Sequence, residues 1–220
     1  MARVLRKWLK RDSDKAMKPV LHTYNICFLG RTGNGKSSLI NSLFGTSLPT
    51  DPLVPCTKIL SATTKLSDEI EGFDAVTAYD TPGIGEFSSI VPYQRYYEYA
   101  VSNSHCIVLV TTLDRNDASA QRLLLSLKDF INEGYHPRLV IALNHIDSRV
   151  AIENKEIVVW DETANEPTEY RQNQIDQRIA MLDQKFLGKF LPFDTIPVCA
   201  IRGYGLDRLK NSIIKKINKK

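Results

Sequence analysis

The eight residues Gly30-Arg31-Thr32-Gly33-Asn34-Gly35-Lys36-Ser37 satisfy the pattern G-x-x-x-x-G-K-[ST]. Before them Tyr24 to Leu29 reads as a buried strand, and after them Lys36 to Leu43 reads as a helix. A strand, a glycine-rich turn and a helix in that order build a phosphate cradle. The glycines let successive backbone N–H groups turn inward, and the helix N-terminus adds a partial positive charge. Lys36 is placed to reach β- and γ-phosphates, and the Ser37 hydroxyl to ligate Mg²⁺. Gly30, Arg31, Thr32, Gly33, Asn34, Gly35, Lys36, Ser37 and Ser38 are therefore the candidate nucleotide-binding residues of this loop, with Lys36 also a candidate catalytic group.

Outward from the loop, short β-branched runs alternate with helical patterns, the rhythm of an α/β domain on a mainly parallel sheet. The expected strands are Tyr24 to Leu29, Ile59 to Lys65, Ala75 to Tyr79, Cys106 to Thr111, Leu139 to Asn144 and Thr195 to Cys199. The expected helices are Lys36 to Leu43, Tyr93 to Val101, Ala118 to Asn132, Glu169 to Phe190 and Leu206 to Ile217. In the fourth helix Ile175, Ile179, Leu182 and Phe186 line one face, as core packing requires. Residues 151–168 carry no sustained period and read as an inserted loop. The expected organisation is a basic leader, residues 1–21, before one domain, residues 22–220, with that insertion.

Three later segments fall at strand ends on the edge that holds the phosphate loop. Asp80-Thr81-Pro82-Gly83 offers a carboxylate for a Mg²⁺-bound water and a glycine N–H for a γ-phosphate. Asn144-His145-Ile146-Asp147 offers a carboxylate that can accept from guanine N1–H and its 2-amino group. Adenine lacks that pair of donors, and an unpaired carboxylate costs about 1–3 kcal/mol or more. Val198-Cys199-Ala200 offers a backbone N–H, from Cys199 or Ala200, for guanine O6.

These elements, in this order, resemble the TRAFAC-class GTPases of the Era-like group over about residues 22 to 218. The five boxes of that group correspond to Gly30 to Ser37, Thr57, Asp80 to Gly83, Asn144 to Asp147 and Val198 to Ala200. GKSSLINSLFG, DTPGIGE and PVCA with GYGL look closest to the compact bacterial GTPases described as ribosome-binding. The resemblance implies a P-loop NTPase fold, a three-layer α/β/α G domain with a six-stranded mainly parallel sheet. It implies GTP and GDP as ligands, Mg²⁺ held by Ser37, Thr57 and Asp80, and hydrolysis supported by Lys36, Thr57 and Gly83. Thr57 is an isolated residue, and a threonine leading into a strand is the alternative reading.

Two boxes depart from the usual pattern. His145 stands where a lysine covers the base, and an imidazole can stack similarly. Cys199 stands where a serine is usual, which leaves the backbone donor in place. Ras-like enzymes carry a glutamine after the third box; here Ile84 follows, with no group to orient water, as in other Era-like proteins. The asparagine that holds potassium in some relatives would fall at Gly33, with Asn34 one place later, so no potassium role is carried over. The implied behaviour is slow turnover accelerated by a partner or by self-association, with Gly45 to Lys58 and Ile84 to Tyr93 as switches. After the second of these, Tyr93, Tyr96, Tyr97 and Tyr99 form either a partner surface or ordinary half-buried packing.

The 220 residues are 43% hydrophobic, enough for a self-sufficient core, and no apolar run approaches the ~18 residues of a spanning helix. Cys27, Cys56, Cys106 and Cys199 are widely spaced, which points to reduced, mostly buried thiols. The net charge of +4 divides unevenly: residues 1–18 and 206–220 each carry +5, and residues 19–205 carry −6. MARVLRKWLKR has apolar positions 4, 5, 8 and 9 on one helical face among basic residues, and no secretory pattern follows it. Such ends suit ribosomal RNA, an anionic membrane, or a solvated leader. The expectation is a cytoplasmic protein, peripheral at a membrane if the ends bind lipid. Its leading function is a GTP-hydrolysing switch in ribosome or RNA metabolism. The alternatives are a membrane-associated GTPase that self-assembles, including as a GTP-state homodimer, and a GTP-binding module with negligible hydrolysis.

Overall fold

The computed structural model describes residues 21–50, 59–67, 69–84, 93–114, 118, 122, 138–152, 155–186 and 193–214. The basic leader, Cys56, Thr57, most of the two expected switches and residues 215–220 lie outside the described residues. Of the helix expected over Ala118 to Asn132, only Ala118 and Arg122 are described, both helical.

β1 (Thr23–Leu29), β4 (Cys106–Thr111) and β5 (Arg138–Leu143) are apolar and buried almost throughout, the pattern of parallel strands covered on both faces. With β2 (Ser61–Leu66), β3 (Ala75–Asp80) and β10 (Asp194–Pro197) they form one sheet in the order β10-β5-β4-β1-β3-β2. Only β2 runs antiparallel, against β3. The mainly parallel six-stranded sheet expected from the sequence is the one observed.

The period of two sorts each strand's side chains between two cores. Tyr24, Ile26, Phe28, Val108, Val110, Val140 and Ala142 face Leu39 and Ile40 of α1 (Lys36–Phe44), together with Leu209 and Ile213 of α4 (Leu206–Ile214). Cys27, Leu29, Ile107, Leu109 and Ile141 face Tyr97, Ala100 and Val101 of α2 (Gln94–Ser102), together with Leu182 and Phe186 of α3 (Glu169–Phe186). The result is three layers, α/β/α. Cys27, Cys106 and Cys199 are buried free thiols. In α2 the tyrosines divide: Tyr97 is core and donates to Pro82 O at 3.1 Å, while Tyr96 and Tyr99 are exposed.

Two segments differ from the sequence reading. The last strand stops at Pro197 rather than Cys199, because Cys199 N–H turns to Tyr204 O at 3.0 Å and Ala200–Arg202 close a 3₁₀ turn ended by Gly203 at φ 71°. Residues 151–168, read as an irregular loop, fall largely within two antiparallel hairpins, β6 (Val150–Ile152) with β7 (Lys155–Ile157) and β8 (Trp160–Asp161) with β9 (Glu166–Pro167). Strands of two or three residues are too short to show a period. The second hairpin is held by its turn, where Asp161 Oδ1 accepts from Thr163 N–H at 2.8 Å and Ala164 N–H at 3.0 Å, with Asn165 at φ 53°. Its anchor is Trp160, 5% exposed and packed with Leu143, Ile146, Ile175 and Cys199.

Candidate nucleotide-binding site

The phosphate loop leaves β1 at Gly30 and enters α1 at Lys36. No side chain caps α1; its N-cap is Gly35 at φ 83°. The N-terminal end of the α1 dipole therefore borders the loop, where it favours an anion. A Cβ at Gly35 would stand 2.4 Å from Asn144 Nδ2 and 2.9 Å from His145 Nε2, so close approach as well as backbone sign demands glycine. The Lys36 ammonium is folded along the loop, donating to Gly30 O at 3.1 Å and Arg31 O at 3.3 Å. Asn34, 1% exposed, donates to Val110 O at 2.8 Å and ties the loop to β4.

Ser37 Oγ donates to Asp80 Oδ2 at 2.6 Å, which joins the first box to the end of β3. A hydroxyl and a buried carboxylate form an all-oxygen donor set, the chemistry that hard Mg²⁺ selects. These two residues fit the ion; the third expected donor, Thr57, lies outside the described residues. Gly83 packs on the loop so closely that a Cβ would fall 1.8 Å from Thr32 Oγ1. Ile84 N–H donates to Gly30 O at 3.1 Å, while the Ile84 side chain is buried in the core under α2.

At the base end, Asn144 is fully buried and both polar atoms of its amide are used. Nδ2 donates to Asn34 O at 3.0 Å, and Oδ1 accepts from Ala200 N–H at 3.2 Å. Asn144 is thus a strut between the phosphate loop and the loop after β10. The next residue, His145, adopts φ 56°, a left-handed conformation that a rigid surround must hold, and its imidazole lies over Gly35. Of the two backbone donors expected for guanine O6, Cys199 N–H is committed to Tyr204 O. Ala200 N–H keeps only the longer bond to Asn144. Burial raises the Asp147 carboxyl, but hydrogen bonds from Arg202 and the Cys199 thiol and the charge of Arg202 outweigh it, so the group sits below the usual aspartate range. Burial and the neighbouring Asp147 push the Cys199 thiol up to about 12, which keeps it a protonated donor.

Residues 25–145 match the family described as 50S ribosome-binding GTPase, more than half of the chain. The chain belongs to this GTPase family. GTP-binding protein A of Dictyostelium discoideum is 27% identical over 141 residues, covering 60% of this chain and 30% of that protein. The chain therefore spans less than a third of the curated relative it matches. Among solved structures, Era in complex with MgGDPNP and nucleotides 1506–1542 of 16S ribosomal RNA superposes with a TM-score of 0.61 at 19% identity. That superposition covers 89% of this chain and 57% of the other. A tyrosine-to-alanine variant of Era from Aquifex aeolicus, bound to GDP and aluminium fluoride, gives 0.60 at 17% identity over 91% of this chain and 58% of the other. At these identities the likeness is one of fold.

One part of the candidate site was missed by sequence reasoning. Arg202 Nε donates to Asp147 Oδ2 at 2.9 Å, while its two terminal nitrogens grip Glu162 at 2.6 and 2.9 Å. The guanidinium lies 5.0 Å from the centre of the Trp160 ring, and Trp160 meets Tyr204 edge-on at 5.4 Å. The insertion is in this way bolted to the loop after β10. The visible signal was Trp160 within an acidic stretch, but its partner lies 42 residues further along the chain.

Proposed function

We propose that this chain is a Mg²⁺-dependent GTP-hydrolysing switch that works on ribosomal RNA. The observation that carries the nucleotide reading is the Asn144 strut, which fixes the phosphate loop and the base loop relative to each other. One ligand with phosphates at one end and a purine at the other satisfies both. Asp147 is held ionised at the base end, and an ionised acceptor suits guanine N1–H and the 2-amino group.

In this reading water attacks the γ-phosphorus in line with the leaving oxygen, and the transition state is loose. Lys36 and the loop N–H groups stabilise the charge that develops on the phosphates. Ser37, Asp80 and Thr57 would hold Mg²⁺, which supplies further charge neutralisation. Gly83 donates its N–H to the γ-phosphate, and loss of that phosphate releases Gly83 and Thr57 with the segments around them. Ile84 carries no group that could orient the attacking water, and turnover is slow until a partner or a second copy accelerates it.

The ribosomal part is supported by the family description and by the RNA-bound Era that shares the fold. The +5 leader and +5 terminal segment supply phosphate-contacting charge that the −6 middle lacks. Co-sedimentation of the GTP-loaded full chain with ribosomal subunits, and separately with anionic vesicles, tests this reading. Binding to subunits that weakens on removal of residues 1–18 is expected. Binding to vesicles alone would replace the RNA reading with the membrane one.

A further inference from the structure

We propose that Arg202 is a positioning residue for guanine recognition: it orients the Asp147 carboxylate toward the base and is itself held by Glu162 and Trp160 of the inserted hairpin. The proposal rests on the guanine-nucleotide reading above.

A single guanidinium reaches three partners here through different atoms. Nε donates to Asp147 Oδ2 at 2.9 Å, the terminal nitrogens take both oxygens of Glu162, and the planar group lies over Trp160. The fixed fork of arginine allows this division, and lysine cannot reproduce it. Arg202 C=O also accepts from Asn165 of the hairpin turn at 3.3 Å, and Arg202 N–H donates to Cys199 O at 3.2 Å. The arginine therefore has one defined place, and the Asp147 side chain, 11% exposed, is fixed by it.

The chemistry of the base makes that placement matter. Guanine presents N1–H and a 2-amino group side by side, so the acceptor must be ionised and correctly turned. A carboxylate has about four lone-pair sites on two oxygens, so bonds from Arg202 and Cys199 leave acceptor capacity for the base. Without Arg202, burial acts on Asp147 with less opposition, and protonation removes an acceptor that guanine needs. The other charged groups around this point are Glu162 and Asp161 on the hairpin, Arg171 on α3 and Asp114 after β4, with His145 two residues before Asp147. Removing Arg202 also takes from Glu162 the partner that lowers its carboxyl, so Glu162→Ala is the control that separates the two carboxylates.

The inserted hairpin thereby becomes part of the specificity apparatus. Anything that lifts it from the domain surface removes the anchor of Arg202 and weakens the hold on guanine. A partner bound to the hairpin would reach the base end of the nucleotide without touching the phosphates.

The test compares Mg²⁺-supported binding of GDP and IDP to the full chain, wild type, Arg202→Ala, Arg202→Lys and Glu162→Ala, from about pH 3 to pH 8, so that the range spans the ordinary aspartate value. IDP lacks the 2-amino group and reports how well Asp147 is engaged. Wild type is expected to favour GDP. Arg202→Ala should lose about tenfold or more in GDP affinity with a smaller loss for IDP. Its GDP binding should also fail at a higher pH than that of wild type. Arg202→Lys, which keeps the charge, should recover the pH midpoint but only part of the GDP preference, and Glu162→Ala should lose part of the preference. Equal losses of GDP and IDP with an unmoved pH profile would overturn the inference and leave Arg202 a purely structural residue, as would no loss at all. A wild type that does not distinguish GDP from IDP or ADP would instead bring down the guanine reading itself, and the inference with it.

Discussion

At the scale of single residues, the site depends on groups that have no room to change. Gly35 sits at φ 83° with Asn144 Nδ2 where a Cβ would go, so Gly35→Ala must displace the strut between the two nucleotide loops. We expect that variant to lose GDP affinity by at least about a hundredfold while remaining folded, read by nucleotide titration beside a circular-dichroism melt. Retained affinity would show that the strut is dispensable. Asp147 gives a pH-dependent prediction. Its folded carboxyl lies below the ordinary aspartate range, so the stability it adds is fully present above the unfolded value of about 3.9. That stability is lost as pH falls through the folded value. The gap in Tm between wild type and Asp147→Asn should be widest near neutrality and shrink below about pH 4. A gap that does not vary with pH would contradict the assignment of charge to this carboxylate.

At the scale of elements, what was legible depended on length and on locality. The phosphate loop was readable because strand, turn and helix are contiguous and each residue type has one physical job there. The central strands were readable because parallel strands covered on both faces are buried along their length and mostly apolar, as Cys106 to Thr111 is. The face of α3 was readable from Ile175, Ile179, Leu182 and Phe186, and three of these are fully buried. The two hairpins were not readable, since their strands are too short for a period and the second takes its order from distant residues packed on Trp160. Arg202 was missed for the same reason: nothing in its neighbours announces Asp147, 55 residues earlier, as its partner. The hairpin's dependence on that packing gives a third prediction. Trp160→Ala should cost about 3–5 kcal/mol in urea unfolding, as for other buried aromatic truncations. A loss below about 1 kcal/mol would mean that the hairpin contributes no anchor to the domain.

At the scale of the whole molecule, the layers and the charge have separate purposes. Three layers bring the C-terminal ends of β1, β3, β5 and β10 to one edge, which is why residues from four distant parts of the chain meet there. The net charge of −6 falls on residues 19–205, which hold this edge, and +5 falls on each of residues 1–18 and 206–220. In the proposed function that edge holds a guanine nucleotide with Mg²⁺, and the γ-phosphate is cleaved there. Single-turnover release of phosphate from GTP by the full chain, compared with ATP and with chelated metal, measures it most directly. Slow release from GTP that needs Mg²⁺ and is lost in Lys36→Ala is expected, with none from ATP. Equal cleavage of ATP, or release that persists without the metal or without Lys36, would contradict it.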